Sequence, residues 1–340
     1  MKKYLFLLFT ASWICSIANA QVFVIERENA TLTFSNIKAA VDALHDNDRL
    51  YIPPGTFSLV DYVWEGYDGD QNIASTLVVN KKVSIYGAGY TGGSSSAITN
   101  GSFIIGRDAG GTSISGLRFD YCGFYLDNVS NCIISRCKTS GSVFSLDGTG
   151  YNNLITECEI NGGGGNGATI QAGYSKCIFR EYYPHCYGAT VNNCLFWIQS
   201  SMSNFENCSL SNNIFIVSTE ATDNNTIFSG NNNTFSYNLW VGGSIFTWAA
   251  EGNTFSNEIT NEPYANVFVD PYNGDYHLKA ECRGKNAGSD GTDTGIFGTS
   301  VPFKESRLPV IPHFNVRVVS FETDAEGKLP VNIQIEAQDN

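Results

Sequence analysis

Apolar and polar positions alternate with a period of two over most of the chain, and Asn, Ser and Gly interrupt the alternation at intervals. The string Val129-Ser130-Asn131-Cys132-Ile133-Ile134-Ser135-Arg136-Cys137-Lys138-Thr139 holds one pentad twice: an apolar residue, two polar residues, Cys, and any residue. The pentad recurs around Cys158, Cys177, Cys194 and Cys208. Asn238 takes the Cys position downstream, and Leu117 takes it upstream. Taking the first such position of each doubled pentad gives Thr112, Cys132, Asn153, Cys177, Cys194, Cys208, Asn233 and Asn253, spaced by 20, 21, 24, 17, 14, 25 and 20 residues. The mean is near twenty, and the uneven steps mark a coil around Cys208 whose register the spacing leaves open.

A unit this short cannot bury a face alone. Stacking equivalent units solves the problem, with each strand pairing to its counterpart one coil away at ~4.8 Å. The period of two and the recurring Gly and Asn disfavour helical repeats. A propeller blade needs roughly twice the period. The pattern therefore predicts an all-β, single-stranded parallel solenoid of about ten coils, with the Cys/Asn position and the apolar residue two later facing inward. Phe34 to Leu44 reads as an amphipathic α-helix, with Ser35 as its N-cap. Pro302, Pro309 and Pro312 punctuate a linker. Asn315 to Phe321 and Leu329 to Ala337 then alternate as a C-terminal β-hairpin around Asp324-Ala325-Glu326-Gly327. A lone hairpin is marginal in water, so this one should pack on the solenoid or on a protein partner.

The first residues change the picture of where the chain works. Met1-Lys2-Lys3, the apolar run Tyr4 to Ile17 and Ala18-Asn19-Ala20 have the pattern of a signal peptide cleaved after Ala20. Ile14 stands where a lipidated Cys15 would need a small residue. The expected organisation is thus signal peptide 1–20, solenoid 21–300, and linker with hairpin tail 301–340. The expected location is exported: extracellular, cell-surface or periplasmic. No later run is apolar enough to span a bilayer as a helix. The formal charge of −13 becomes −15 once Lys2 and Lys3 are removed. That balance repels phosphate backbones and excludes nucleic acid as a partner. Ten cysteines less Cys15 leave an odd number, which cannot all pair internally, and no CxxC spacing suggests a metal. In a slot that also accepts Asn and Leu, the cysteines read as an interior stack of small buried side chains.

The coils resemble right-handed parallel β-helix proteins of the pectate-lyase-like superfamily. The resemblance covers about residues 34–300. It is strengthened by the helix, by Ile52-Pro53-Pro54-Gly55-Thr56-Phe57, and by Tyr86-Gly87-Ala88-Gly89, which match that group's capping helix and first coils. Val269-Asp270-Pro271-Tyr272-Asn273-Gly274-Asp275-Tyr276-His277-Leu278 is similar to the last coils of bacterial surface β-helix proteins. The resemblance implies the right-handed fold and says little about activity. A polysaccharide partner is expected from that fold together with the acidic surface and aromatic loops.

Lyase chemistry on acidic sugars needs carboxylates around Ca²⁺ and an Arg or Lys base. Hydrolase chemistry needs paired carboxylates. Neither set is recognisable in the repeat, and His45, His185, His277 and His313 are scattered. Arg136, Glu157 and Lys176, followed by Asn193, Asn207, Tyr237 and Asn257, precede the Cys/Asn slot. They read as a solvated salt-bridge row that continues into a structural Asn ladder. Candidate carbohydrate contacts lie in two loops. One carries Tyr62, Trp64, Tyr67, Asp68 and Asp70; the other carries Tyr182, Tyr183 and His185. Asp290 and Asp293 are candidate Ca²⁺ ligands. The sequence thus predicts a surface protein that binds extended polysaccharide. A polysaccharide lyase or glycoside hydrolase acting on a uronate-containing glycan, and a structural component of a surface assembly, stand as alternatives.

Overall fold

The computed structural model describes residues 22–60, 63–67, 71–74, 76–91, 95–140, 143–145, 150–161, 172–180, 186–198, 202–203, 205–217, 228–242, 251–309, 313–319, 326–328 and 331–336. The expected signal peptide lies outside them. No helix among the described residues is long and apolar enough to cross a membrane.

Two long sheets run side by side up a parallel β-solenoid. Sheet A stacks ten parallel strands, from Arg49–Tyr51 through Ser113–Ser115 and Asn153–Thr156 to Thr254–Ser256. Its inward column is Leu50, Ile85, Ile114, Ile134, Ile155, Tyr174, Val191, Leu210 and Phe235, in register from coil to coil and buried throughout. Sheet B carries the second strand of each coil. Its inner column becomes aromatic toward the C-terminal end. Phe179, Phe196, Phe215 and Trp240 stack face to face, with centroids 4.5, 5.0 and 4.4 Å apart. Each such pair contributes about 0.5–1.5 kcal/mol beyond its buried area.

Among the described residues, the coils turn between the sheets through left-handed residues. One corner, before the sheet A strand, uses Gly111, Asn131, Asn152, Gly188, Asn207, Asn232 and Gly252. The other, before the sheet B strand, uses Gly116, Arg136, Glu157, Lys176, Asn193, Asn212, Tyr237 and Asn257. The residue after each corner points inward, so there are two slots rather than one. Thr112, Cys132, Asn153, Ala172, Ala189, Cys208, Asn233 and Asn253 fill the first. Leu117, Cys137, Cys158, Cys177, Cys194, Asn213, Asn238 and Glu258 fill the second. The sequence pattern merged them: Cys177 and Cys194 belong to the second slot, while Cys208 stacks in the first. Ala172 and Ala189 carry no polar signature, so that slot was invisible in two coils.

The slot has a chemical requirement besides small size. Its own N–H points along the axis at the slot side chain of the next coil. Cys132 N donates to Asn153 Oδ1 at 2.9 Å, Cys194 N to Asn213 Oδ1 at 2.8 Å, and Cys137 N to Cys158 Sγ at 3.4 Å. Asn, Thr, Glu and Cys can all accept that bond, which leaves fewer buried donors unpaired. Cys132, Cys137, Cys158, Cys177, Cys186, Cys194, Cys208 and Cys282 are all buried and free.

At the N-terminal end the helix spans Ile37–Asp42, and Asn36, not Ser35, caps it: its side chain accepts from Ala39 N at 2.8 Å. Ahead of the helix stands an antiparallel hairpin, Phe23–Arg27 with Ala30–Phe34, that sequence patterning did not reveal. Its first strand pairs antiparallel with Arg49–Tyr51 and covers the open edge of sheet A. Near the other terminus, His313–Val319 and Val331–Glu336 form the expected hairpin.

Residues 264–309 fold back along the outside. Val267, Phe268, Tyr276, Leu278, Cys282, Ile296 and Phe303 form a second core against the outward side chains Ile178, Leu195, Ile214, Ile216, Leu239 and Val241 of sheet B. Residues 295–309, part of which reads as a linker in the sequence, form a strap on the corner residues, crossing the coils in reverse order. Gly295 N donates to Asn212 O at 2.7 Å, Lys176 Nζ to Val301 O at 2.6 Å, Lys304 N to Glu157 Oε1 at 3.2 Å, and Arg136 Nη1 to Leu308 O at 3.0 Å. The expected solvated row is therefore a covered one. Arg136 Nε and Glu157 Oε2 meet at 2.6 Å with both side chains 7 % exposed. Asn207 does not continue that row, because it lies at the opposite corner.

Candidate functional site

The outward column of sheet B changes character half-way up. Arg118, Lys138 and Glu159 occupy the register that Ile178, Leu195, Ile214 and Leu239 continue. The apolar half lies under the folded-back segment. At the boundary, Lys138 and Glu159, a second outward column (Arg180, then Trp197), the Pro271–Gly274 turn and Arg307 of the strap line an open cleft of about 600 Å³.

Glu159 sits at the centre of its charges. Its Oε1 lies 3.0 Å from Lys138 Nζ and 3.2 Å from Arg180 Nε, and the carboxylate is nearly buried. Burial raises its pKa, but the attraction of Lys138, Arg180 and Arg307 outweighs burial and holds it below the ordinary carboxylate value. The Arg180 guanidinium donates to the Tyr276 hydroxyl and lies 5.8 Å from the Trp197 ring centroid and 5.7 Å from that of Tyr276. Both distances are within cation–π range. Trp197 meets Tyr264 and Tyr276 edge-on, so the aromatic wall is continuous. Tyr272, at the tip of the overhanging turn, is 93 % exposed. Arg307, on the strap, lies over the rings of Tyr90 and Phe303 at 5.5 and 5.9 Å. Its Nε is buried without a hydrogen-bond partner among the described residues.

A second cavity of about 410 Å³ adjoins the first and shares Asn273, Gly274, Tyr276 and Arg307 with it. On its rim Asp275, His277 and Glu305 bring three potential ligand atoms within 4.8 Å of one another. The His277 ring stacks on Phe297 at 3.8 Å, and its Nδ1 lies 2.8 Å from Asp275 Oδ1. If any described group could hold a divalent ion, it is this one.

Of the residues singled out in the sequence, Tyr62, Asp68, Asp70, Tyr182, Tyr183 and His185 lie outside the described residues. Trp64 and Tyr67 lie on the strand Val63–Tyr67, paired antiparallel with Gln71–Ala74. Asp290 and Asp293 fasten their own loop. Asp290 Oδ1 accepts from Thr292 N and Oγ1 at 3.0 and 2.6 Å; Asp293 pairs with Lys285 at 2.8 Å and accepts from Asn286 N at 3.0 Å. None of the cleft residues was a sequence candidate. The available signal was the run of charges two residues beyond the left-handed corner, in strands whose later members are apolar there.

No protein-family model matches the chain, and no curated protein matches it. Among solved structures it is similar to a mannuronic acid-specific polysaccharide family 6 lyase from human gut microbiota. That likeness is at 14 % identity and a TM-score of 0.28, covering 66 % of this chain and 56 % of the lyase. The chain thus spans little more than half of that enzyme. At this level the likeness decides neither fold nor activity, and the fold rests on the strand register above.

Proposed function

We propose that this chain is an exported or cell-surface solenoid that binds an acidic polysaccharide along the outside of sheet B, in the cleft between Lys138, Arg180 and Tyr272. One observation carries the reading. Lys138 and Arg180 pair with a single buried carboxylate, Glu159, and Arg307 lines the same cleft between aromatic walls, in a chain whose formal charge is −13. A cationic cleft on an acidic protein selects anions locally. Guanidinium groups suit sugar carboxylates because they offer two parallel donors. Exposed Tyr272 and the edge of Trp197 suit the apolar faces of pyranose rings, and the cavity is in the size range of small-ligand sites.

The test is calorimetric titration of the full chain with oligouronates and with neutral oligosaccharides of equal length. Oligouronate should bind and neutral ligand should bind far more weakly. Tyr272→Ala should weaken binding by about tenfold, and Arg180→Gln should remove most of the preference for charge. Wild-type affinity in both variants would place the ligand elsewhere.

A lyase reading is favoured by one further feature: Lys138, Arg180 and the Tyr276 hydroxyl share this cleft. A base there could take the proton next to a uronate carboxyl while the neighbouring cation neutralises that carboxyl, and the glycosidic oxygen would leave with the electron pair. Ultraviolet absorbance from unsaturated uronate ends during the same titration distinguishes catalysis from binding.

A further inference from the structure

Arg307 belongs to neither sheet, yet it lines both cavities. Its backbone is left-handed, with φ 56°. Such a conformation persists in a bulky residue only where the surroundings determine it. Here the turn Lys304–Arg307 closes on itself, with Arg307 N donating to Lys304 O at 3.0 Å, and one buried ion pair grips that turn on both sides. Glu157 uses Oε2 for Arg136 and Oε1 for Lys304 N. Arg136 uses Nε for Glu157 and Nη1 for Leu308 O. The pair spans two adjacent coils, and its two strap contacts flank Arg307. The strap thereby fixes the guanidinium over Tyr90 and Phe303. No ion pair to Arg307 occurs among the described residues, whereas Lys138 and Arg180 are both engaged with Glu159.

We propose that Arg136 and Glu157 are positioning residues for the glycan site: through the strap they hold Arg307 at the junction of the two cavities, where it reads an anionic group of the bound chain. The inference rests on the cleft being the glycan site, and it adds that the cleft works only with the strap docked. A buried pair that served the solenoid alone would need no contact with the strap. This one spends a carboxylate oxygen and a guanidinium nitrogen on it. Removing both partners leaves no orphaned charge, so Arg136→Met/Glu157→Met is a fair way to release the strap.

The experiment is a double-mutant cycle on the full chain, read as oligouronate affinity at several salt concentrations. Arg307→Gln should weaken oligouronate binding about tenfold, flatten the salt dependence, and leave neutral oligosaccharide unaffected. Arg136→Met/Glu157→Met should reproduce that loss, and adding Arg307→Gln to it should cost nothing more. Losses that multiply, or unchanged affinity in the pair variant, overturn the proposal. If the pair variant does not fold, Arg136→Lys reads the same coupling while keeping the charge. Tyr272→Ala and Arg180→Gln separate the two levels. If they weaken binding but the Arg136 and Glu157 variants do not, the positioning role fails and the site stands. If none of them has an effect, the site itself fails and the proposal with it.

Discussion

The Trp240 indole donates through Nε1 to Glu258 Oε2 at 2.5 Å, joining the end of the inner aromatic stack to the end of the Asn slot. Glu258 Oε1 also receives Asn238 N at 3.3 Å and Asn238 Nδ2 at 3.1 Å. The carboxylate thus terminates a column of axial hydrogen bonds that starts several coils earlier. Burial raises its pKa above the ordinary 4.5, against the opposing pull of the bonds from Trp240 and Asn238.

Glu258 should therefore cost stability as the pH rises. A carboxyl whose folded pKa exceeds its unfolded one stays protonated longer in the native state. Its contribution is fully present below the unfolded pKa and is lost as pH rises through the folded value. Glu258→Gln keeps an acceptor and removes the titration. The variant and wild type should have similar urea midpoints well below pH 4.5, and the variant should gain relative stability as the pH rises above it. A midpoint difference that does not change with pH would show that burial of the charge is not what Glu258 costs the fold.

The left-handed corners set a second expectation. Asn207 has φ 55°, is exposed, and sends its N–H to Asn231 O at 3.0 Å. Glycine reaches this conformation freely, whereas a β-branched residue meets its own carbonyl. Asn207→Gly should leave the urea midpoint nearly unchanged. Asn207→Val should cost about 1–2 kcal/mol. Equal midpoints for the two variants would mean that the corner does not need its left-handed residue.

Those corners also show what a sequence of this kind reveals and hides. The period, the inward Cys/Asn positions and the terminal hairpin were legible, because alternation and turn residues are local signals. The doubling of the pentad was legible too, but not which copy belongs to which corner. Asn131-Cys132 and Asn193-Cys194 are the same dipeptide, and only strand pairing assigns one to the corner before sheet A and the other to the corner before sheet B. The cleft was still harder to see. Lys138, Glu159 and Arg180 occupy outward positions, where a solvated face also carries charge. They become a site only because Tyr272 and Arg307, more than ninety residues later in the chain, fold back over them. The Arg136–Glu157 pair looked solvated for the same reason: the strap that covers it is remote in sequence.

The mixed composition of the inner slot yields the last prediction. Asn213 is fully buried. Its Oδ1 accepts Cys194 N at 2.8 Å, and its Nδ2 donates to Val191 O at 3.0 Å. Asn213→Ala would orphan both groups, at about 1–3 kcal/mol for each buried polar group left unpaired. Asn213→Cys would keep weaker forms of both bonds, since in an equivalent coil Cys177 N donates to Cys194 Sγ at 3.4 Å and Cys177 Sγ donates to Ile155 O at 3.3 Å. If the slot selects an acceptor, Cys should be the milder replacement by about 1 kcal/mol in urea denaturation, and amide exchange at Cys194 should speed up much more in the Ala variant. If it selects only for size, Ala and Cys should rank by volume alone, and Cys194 should stay equally protected in both.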